Sequence, residues 1–148
     1  MTFLRYYLPV LLWAVVISVM STSRFGSGFT ERVLQTTLES IVPGVSPATL
    51  QIINAVVRKL AHIAEYLVLG WLLWRALARE AARRWQWGWV AWTLALAAAF
   101  AGFDELHQHF EPGRGASLVD VGFDTLGAAL ALGVLYWRAR RAADTTLP

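Results

Sequence analysis

Residues 92–137 read WTLALAAAFAGFDELHQHFEPGRGASLVDVGFDTLGAALALGVLYW, which is two apolar runs joined by a polar link at 104–117. Each run approaches the roughly 20 residues that an α-helix needs to cross the hydrocarbon core of a bilayer. The link is rich in acidic, imidazole and amide side chains, and Asp120 and Asp124 follow inside the second run. This stretch therefore predicts two membrane helices with a polar site near the end where they are joined.

The composition of the whole chain agrees with a membrane protein of one domain, covering residues 1–148. Hydrophobic residues make up 57% of the 148 residues, against roughly 45–50% in soluble proteins. The chain has no cysteine, which excludes disulfides and thiolate metal sites. Lys59 is the only lysine, and the arginines flank apolar segments rather than forming a basic stripe, so a nucleic-acid partner is not expected.

Four apolar runs, at about 4–21, 57–78, 87–103 and 118–137, have the length of membrane-spanning helices. The first run lacks a convincing small-x-small cleavage site at its end, so we interpret it as an uncleaved membrane helix rather than a signal peptide. The fold class predicted from these runs is all-α, an integral membrane four-helix bundle.

The distribution of arginines predicts the orientation of the bundle. Arginines are frequent in the link at 75–84 and in the tail at 138–141. By the positive-inside rule both segments belong in the cytoplasm, which places the N- and C-termini there as well. We interpret these arginines as topology signals and lipid anchors, not as a binding site. The aromatic residues near the same side predict an interface belt, with core packing as the alternative for any one of them: Trp71, Trp74, Trp85, Trp87, Tyr136 and Trp137.

The segment between the first two spans predicts an amphipathic helix on the extracytoplasmic side. In FTERVLQTTLESIV, residues 29–42, apolar side chains recur at helical spacing. Thr30 is the predicted N-cap and Pro43–Gly44 the predicted end. Ser46 and Pro47 then have the residue types of a cap and a first helical turn, so the next helix is expected to start there and continue into the second span.

One face of the predicted second span carries Lys59, His62, Glu65 and Tyr66. At 1.5 Å per residue, Glu65 lies roughly 12 Å from the start of this span. A charge at such depth costs at least about 2.5–3.5 kcal/mol on insertion scales and requires a partner or water. These residues are therefore predicted to face other polar groups.

Matching polar pairs occur in the other two spans. Asp104 and Gln108 are four residues apart where the third span ends, and Asp120 and Asp124 are four residues apart where the fourth begins. In a four-span topology all these groups approach the outer leaflet. We therefore predict that they meet in one polar pocket just below the extracytoplasmic surface.

The same residues resemble those of the VanZ-like family of small bacterial membrane proteins. The similarity spans about residues 55–135 and rests on three motifs in order. They are K-x-x-H-x-x-E-Y at 59–66, D-E-x-x-Q-x-F-x-P-G-R at 104–114 and S-x-x-D at 117–120. The chain has Asp124 where the family pattern leads us to expect asparagine. The resemblance implies a multi-pass protein of the bacterial inner membrane that works at the cell envelope, with a link to resistance against the glycopeptide teicoplanin.

The preferred functional hypothesis is a site for a phosphate-bearing membrane lipid or an isoprenoid-phosphate-linked wall precursor. Lys59 and Arg114 would hold the phosphate, Arg114 through its planar fork. Neighbouring polar groups would add hydrogen bonds or orient the cations. The predicted ligand-binding residues are Lys59, His62, Tyr66, Glu105, Gln108, Arg114, Ser117 and Asp124.

Two other hypotheses remain open. A membrane-embedded hydrolase or transferase would use His62, Glu65, Asp104 and Asp120 for acid–base or nucleophilic chemistry on a lipid headgroup. Alternatively, the polar groups are a structural network, although such contacts contribute only about 0.6 kcal/mol each on average. We expect no cofactor and no metal, because three histidines without cysteine form a thin ligand set. The oligomeric state is open, because the small residues at 127–131 can pack helices within one chain or between two.

Overall fold

The computed structural model describes residues 2–22, 27–79, 85–110 and 117–144, and these form five α-helices. The helices are α1 Thr2–Met20, α2 Ser27–Ile41, α3 Pro47–Ala78, α4 Trp87–His109 and α5 Leu118–Asp144. No strand occurs within the described ranges, so the all-α prediction is confirmed.

Three of these helices, α1, α4 and α5, are long and apolar enough to cross a membrane. Helix α3 has 32 residues and is therefore about 48 Å long. It carries Arg58, Lys59, Glu65 and Arg75 along its length and is not among the three. The four-span bundle thus stays a prediction.

The helix boundaries agree with the predicted signals in most places. Ser46 caps α3, because its side chain accepts a hydrogen bond of 3.2 Å from the Thr49 amide, and Pro47 occupies the first helical position. Gly44 has a φ of +87°, which favours glycine and lies in the turn after α2. The prediction that Thr30 caps α2 was wrong, because this helix begins at Ser27 and includes Thr30.

Helices α3 and α5 run parallel and touch through their backbones. A Cβ atom added at Gly127 would overlap the carbonyl group of Ile63, and one added at Gly70 would lie 2.7 Å from the Cα atom of Ala128. Such close approach requires small residues at the contact. The predicted role of Gly127 and Ala128 in close helix packing is therefore realised within one chain.

Helix α1 runs antiparallel to α3 and contacts it along its length. The indole nitrogen of Trp13 donates a hydrogen bond of 2.9 Å to the carbonyl oxygen of Glu65. Deeper in the bundle, Ile17 packs in one buried cluster with Tyr66, Leu69 and Ala101. This cluster joins α1, α3 and α4 in the centre of the fold.

Large apolar side chains cover the outside of the helices. Leu118, Phe103 and Leu12, for example, are 90%, 66% and 58% exposed. An apolar exterior of this extent is unfavourable in water and fits a hydrocarbon environment. Trp74, one of the predicted belt residues, is not on this surface. It is buried and stacks on Trp85, with ring centroids 4.6 Å apart.

The antiparallel and parallel pairings give the fold two chemically different ends. The name polar end is used for the end of the fold where Ser21, directly after α1, contacts Asp104 of α4. At the same end the N-terminal half of α3 contacts the start of α5. We call the arginine end the one where Arg75 and Arg79 near the C-terminus of α3 meet the beginning of α1. The predicted site residues described by the structure all belong to the polar end.

Candidate functional site

Two pairs of ionisable side chains join α3 to α5 at the polar end. The Nζ atom of Lys59 donates a hydrogen bond of 2.6 Å to Oδ1 of Asp120, and Nδ1 of His62 lies 3.1 Å from Oδ1 of Asp124. The spacing of three residues on α3 and four on α5 places both pairs on facing stripes of the two helices. The Lys59–Asp120 pair is partly exposed, whereas Asp124 is fully buried.

A second hydrogen-bonded group joins α1 to α4. The carboxylate oxygen Oδ2 of Asp104 accepts a hydrogen bond of 2.6 Å from the Ser21 hydroxyl and one of 3.0 Å from the Gln108 amide. All three side chains are buried. Since α4 continues to His109, beyond the predicted end at 103, Asp104 and Gln108 lie one turn apart on the same helix.

Glu105 connects α4 to the N-terminus of α5. Its Oε2 atom accepts a hydrogen bond of 2.7 Å from the Ser117 backbone amide. The Ser117 hydroxyl in turn accepts a hydrogen bond of 3.3 Å from the Asp120 amide. The first N–H groups of a helix lack partners within the helix and therefore need acceptors from elsewhere. Glu105 and Ser117 therefore fix where α5 begins, with Asp120 in its first turn.

Tyr66 lies at the centre of these groups. Its side chain is fully buried, and the carboxyl groups of Asp124, Asp104, Glu65 and Glu105 lie close enough to influence its hydroxyl. These acids come from α3, α4 and α5, so the structure brings them together around one point. The prediction that the polar faces of three helices meet at one place agrees with this geometry.

Three buried polar atoms in this region make no hydrogen bond within the described part of the chain. They are the Tyr66 hydroxyl, Oε1 of Glu105 and Oδ2 of Asp124. A buried polar atom without a partner costs about 1–3 kcal/mol. These atoms come from α3, α4 and α5, so each of the three helices has a polar atom with capacity for a further hydrogen bond in this region.

A cavity of about 80 Å³ opens between α1, α2 and α3 beside this network. Its polar wall contains Arg58, His62, Glu65 and Ser21. A space of this size holds two or three water molecules or one small charged group. The remaining lining residues are Met20, Thr30, Val57 and Ala61.

Only one of the two predicted cations of the site can be placed relative to the cavity. Lys59 does not line it and is already engaged by Asp120. Arg114 belongs to residues 111–116, which lie outside the described residues. Among the described residues, the arginine that lines the cavity is Arg58, which was not among the predicted site residues.

Two site residues were therefore missed. Arg58, His62 and Glu65 are spaced i, i+4 and i+7 on α3, a pattern that could have identified Arg58 as part of the same face. Ser21 ends an apolar run, and nothing in its local sequence indicates that Asp104, 83 residues later, is its partner. Among the described residues, no group of three or more His, Asp and Glu side chains is placed to hold a metal ion.

Apolar helices with a network of ionisable side chains at one end define the class of this molecule as a small helical membrane protein. A comparison with family models matched the family described as VanZ/LLP1 over residues 5–139. The chain therefore belongs to the VanZ/LLP1 family, and the resemblance noted from its motifs is confirmed. Comparisons with curated proteins and with solved structures found no match.

Proposed function

We propose that the polar end binds the phosphate of a membrane lipid or of a lipid-linked cell-wall precursor. The observation that carries this proposal is the cavity in which Arg58 and His62 lie side by side. Both residues can present N–H donors to phosphate oxygens, and the planar fork of arginine suits this geometry. His62 is held by Asp124 and so has a fixed orientation.

The rim of the cavity supports an amphipathic ligand. Met20 and Val57 line it and are 42% and 37% exposed, so apolar surface borders the opening. A lipid would place its phosphate against Arg58 and its chains along the apolar rim and the lipid-facing surface of α1.

The proposal includes a four-span topology in which α3 crosses the membrane together with α1, α4 and α5. Its support is that α3 and α5 run parallel while α1 and α4 run opposite to them, as alternating spans require. The pairs to α5 also supply partners for Lys59 and His62 of α3. With the arginine end in the cytoplasm of a bacterial cell, the lipid site faces the outer leaflet of the inner membrane and α2 lies on the extracytoplasmic side.

Lipid binding is testable by native mass spectrometry of protein extracted in mild detergent and delipidated. The added ligands are an isoprenoid phosphate, phosphatidylglycerol and, as phosphate-free controls, the matching isoprenol and diacylglycerol. We expect retention of the phosphate-bearing lipids to fall about tenfold in Arg58→Gln, the loss of one charge-assisted hydrogen bond. The matched control is Arg32→Gln on the exposed face of α2.

Two results would contradict the proposal. One is equal retention of phosphate-bearing and phosphate-free lipids by the unmodified protein. The other is unchanged retention in Arg58→Gln when the variant is shown by its thermal transition to be folded. A glycopeptide-susceptibility assay of a strain lacking this protein tests separately whether the binding is connected with teicoplanin resistance.

A second function, headgroup hydrolysis or transfer, is favoured by one observation. His62 lines the cavity and has Asp124 within hydrogen-bond distance, which is the arrangement of an oriented general base. Release of inorganic phosphate from an isoprenoid diphosphate, abolished in His62→Gln but not in His107→Gln, would establish this activity. Lipid binding without release of phosphate would contradict this second function and agree with lipid binding alone.

A further inference from the structure

A second cavity lies at the arginine end, on the opposite side of the fold from the polar site. It encloses about 360 Å³ between α3, α5 and the residues that lead into α4. From His62 to Arg75 the rise along α3 is about 20 Å, so the two cavities do not share a wall. This volume lies in the range of ligand pockets, which is about 300–1,000 Å³.

The lining of this cavity combines three guanidinium groups with aromatic rings. The cations are Arg75, Arg79 and Arg138, and no described lining residue is acidic. The other lining residues are Trp71, Trp74, Trp85, Leu135 and Ala139. Three positive charges around one concave surface attract an anion, and the adjacent rings offer a surface for apolar chains.

Two of the arginines are held in place before any ligand binds. Arg75 donates a hydrogen bond of 2.8 Å to the Arg5 carbonyl and lies over the ring of Trp71, 5.9 Å from its centroid. Arg79 donates to the Tyr7 hydroxyl. Each contact uses one of the five N–H donors of a guanidinium, so further donors remain for a ligand. Fixing these long side chains in advance lowers the entropic cost of binding.

The backbone at Arg79 is also unusual. Its φ is 43°, in the region that favours glycine. A non-glycine residue in such a conformation costs on the order of 1–3 kcal/mol and persists where the surrounding structure holds it. Here the conformation ends α3 and accompanies the contact between the Arg79 guanidinium and α1.

We propose that this cavity binds the headgroup of an anionic phospholipid through Arg75, Arg79 and Arg138. The phosphate would contact the guanidinium groups, and the acyl chains would pass over Trp71, which is 44% exposed. Basic pockets between membrane helices bind anionic lipid headgroups in this way. The site is separate from the polar end and does not depend on what binds there.

The test uses the delipidated full-length protein in detergent and measures bound lipid by native mass spectrometry. Phosphatidylglycerol is compared with phosphatidylcholine of the same chains, and inorganic phosphate is offered alone. We expect phosphatidylglycerol to be retained preferentially, and about tenfold less in Arg138→Gln. Arg140→Gln, on the same helix but outside the cavity, should behave as the unmodified protein does. Arg138→Lys, which keeps the charge but loses the fork, should lie between the two.

Three outcomes would overturn this proposal. They are equal retention of the two phospholipids, equal effects of Arg138→Gln and Arg140→Gln, and binding of inorganic phosphate as tight as that of phosphatidylglycerol, which would indicate a site for the free ion. Arg138 is exposed, and the thermal transition of each variant is measured to show that it is folded. Because phosphatidylglycerol is also proposed to bind at the polar end, the comparison is repeated in the Arg58→Gln background, where the difference between Arg138→Gln and Arg140→Gln should persist.

Discussion

The Nη2 atom of Arg75 donates a hydrogen bond of 2.8 Å to the carbonyl oxygen of Arg5, joining the C-terminal part of α3 to the first turn of α1. In an unbroken helix this carbonyl would accept from the amide of residue 9. That residue is Pro9, which has no N–H. A side chain from a neighbouring helix thus replaces the missing backbone donor, one of the ways in which proline is tolerated in membrane helices.

This relationship predicts a coupling between Pro9 and Arg75. Removing the donor in Arg75→Met should lower the free energy of unfolding by about 1 kcal/mol in the unmodified protein. In the Pro9→Ala background the residue 9 amide can bond to Arg5, so the same change should have a smaller effect. Reversible unfolding in mixed micelles measures all four variants. Equal effects in both backgrounds would contradict the relationship.

The backbone contact between α3 and α5 predicts opposite results for two glycines of the same helix. Gly127→Ala places a methyl group against the Ile63 carbonyl and should lower the free energy of unfolding by about 1–3 kcal/mol or more. Gly133→Ala meets open space and should be neutral or slightly stabilising, because alanine favours helix. Thermal unfolding in detergent compares the two, and a similar loss in both would argue against the close contact.

The two charged pairs between α3 and α5 should differ in strength. Lys59 and Asp120 are 42% and 31% exposed, so their coupling energy should be about 1 kcal/mol or less. His62 and Asp124 are 15% and 0% exposed, and their coupling should be larger, about 2 kcal/mol.

Double-mutant cycles with alanine at each position, read by unfolding in mixed micelles, give both values. The cycles should also respond differently to salt, with added salt weakening the exposed pair more than the buried one. A larger coupling energy for Lys59–Asp120 than for His62–Asp124 would show that the burial of Asp124 does not determine the strength of its pair.

The four-span and three-span topologies predict different locations for the two termini of the chain. With α3 crossing, both termini lie on one side and α2 on the other. With only α1, α4 and α5 crossing, the termini lie on opposite sides. The chain has no cysteine, so single cysteines can be introduced at Phe3, Thr37 and Ala143.

In intact cells whose outer membrane is permeabilised, an impermeant maleimide should label the Thr37→Cys variant only. Labelling of the Ala143→Cys variant from outside, or of neither the first nor the last position after cell disruption, would contradict the four-span arrangement.

The helices and their polar faces could be predicted from residue order, because both follow from local periodicity. Asp104 and Gln108 are neighbours on α4 for this reason, and Ser46 and Pro47 start α3 as their types indicate. The third apolar span was predicted to end at about 103, whereas α4 continues through the polar residues to His109. Asp104, Glu105 and Gln108 are buried there and have hydrogen-bond partners.

The pairing between helices could not be predicted, because it depends on how the helices are rotated against each other. The hydrolase hypothesis grouped His62 with Glu65, Asp104 and Asp120, and its partner in the structure is Asp124. Lys59 was expected to hold a ligand, and it is bound by Asp120. The direct contact of α3 with α5 at Gly127 sets this rotation and so selects the partners.

The separation of these partners along the chain has a consequence for biogenesis. Lys59 and His62 meet Asp120 and Asp124 only 61 and 62 residues later. In the proposed four-span topology, α3 is synthesised before either aspartate, and its uncompensated charges would be costly in the bilayer. Stable insertion of α3 would then require α5, so that the two helices enter the membrane interior together.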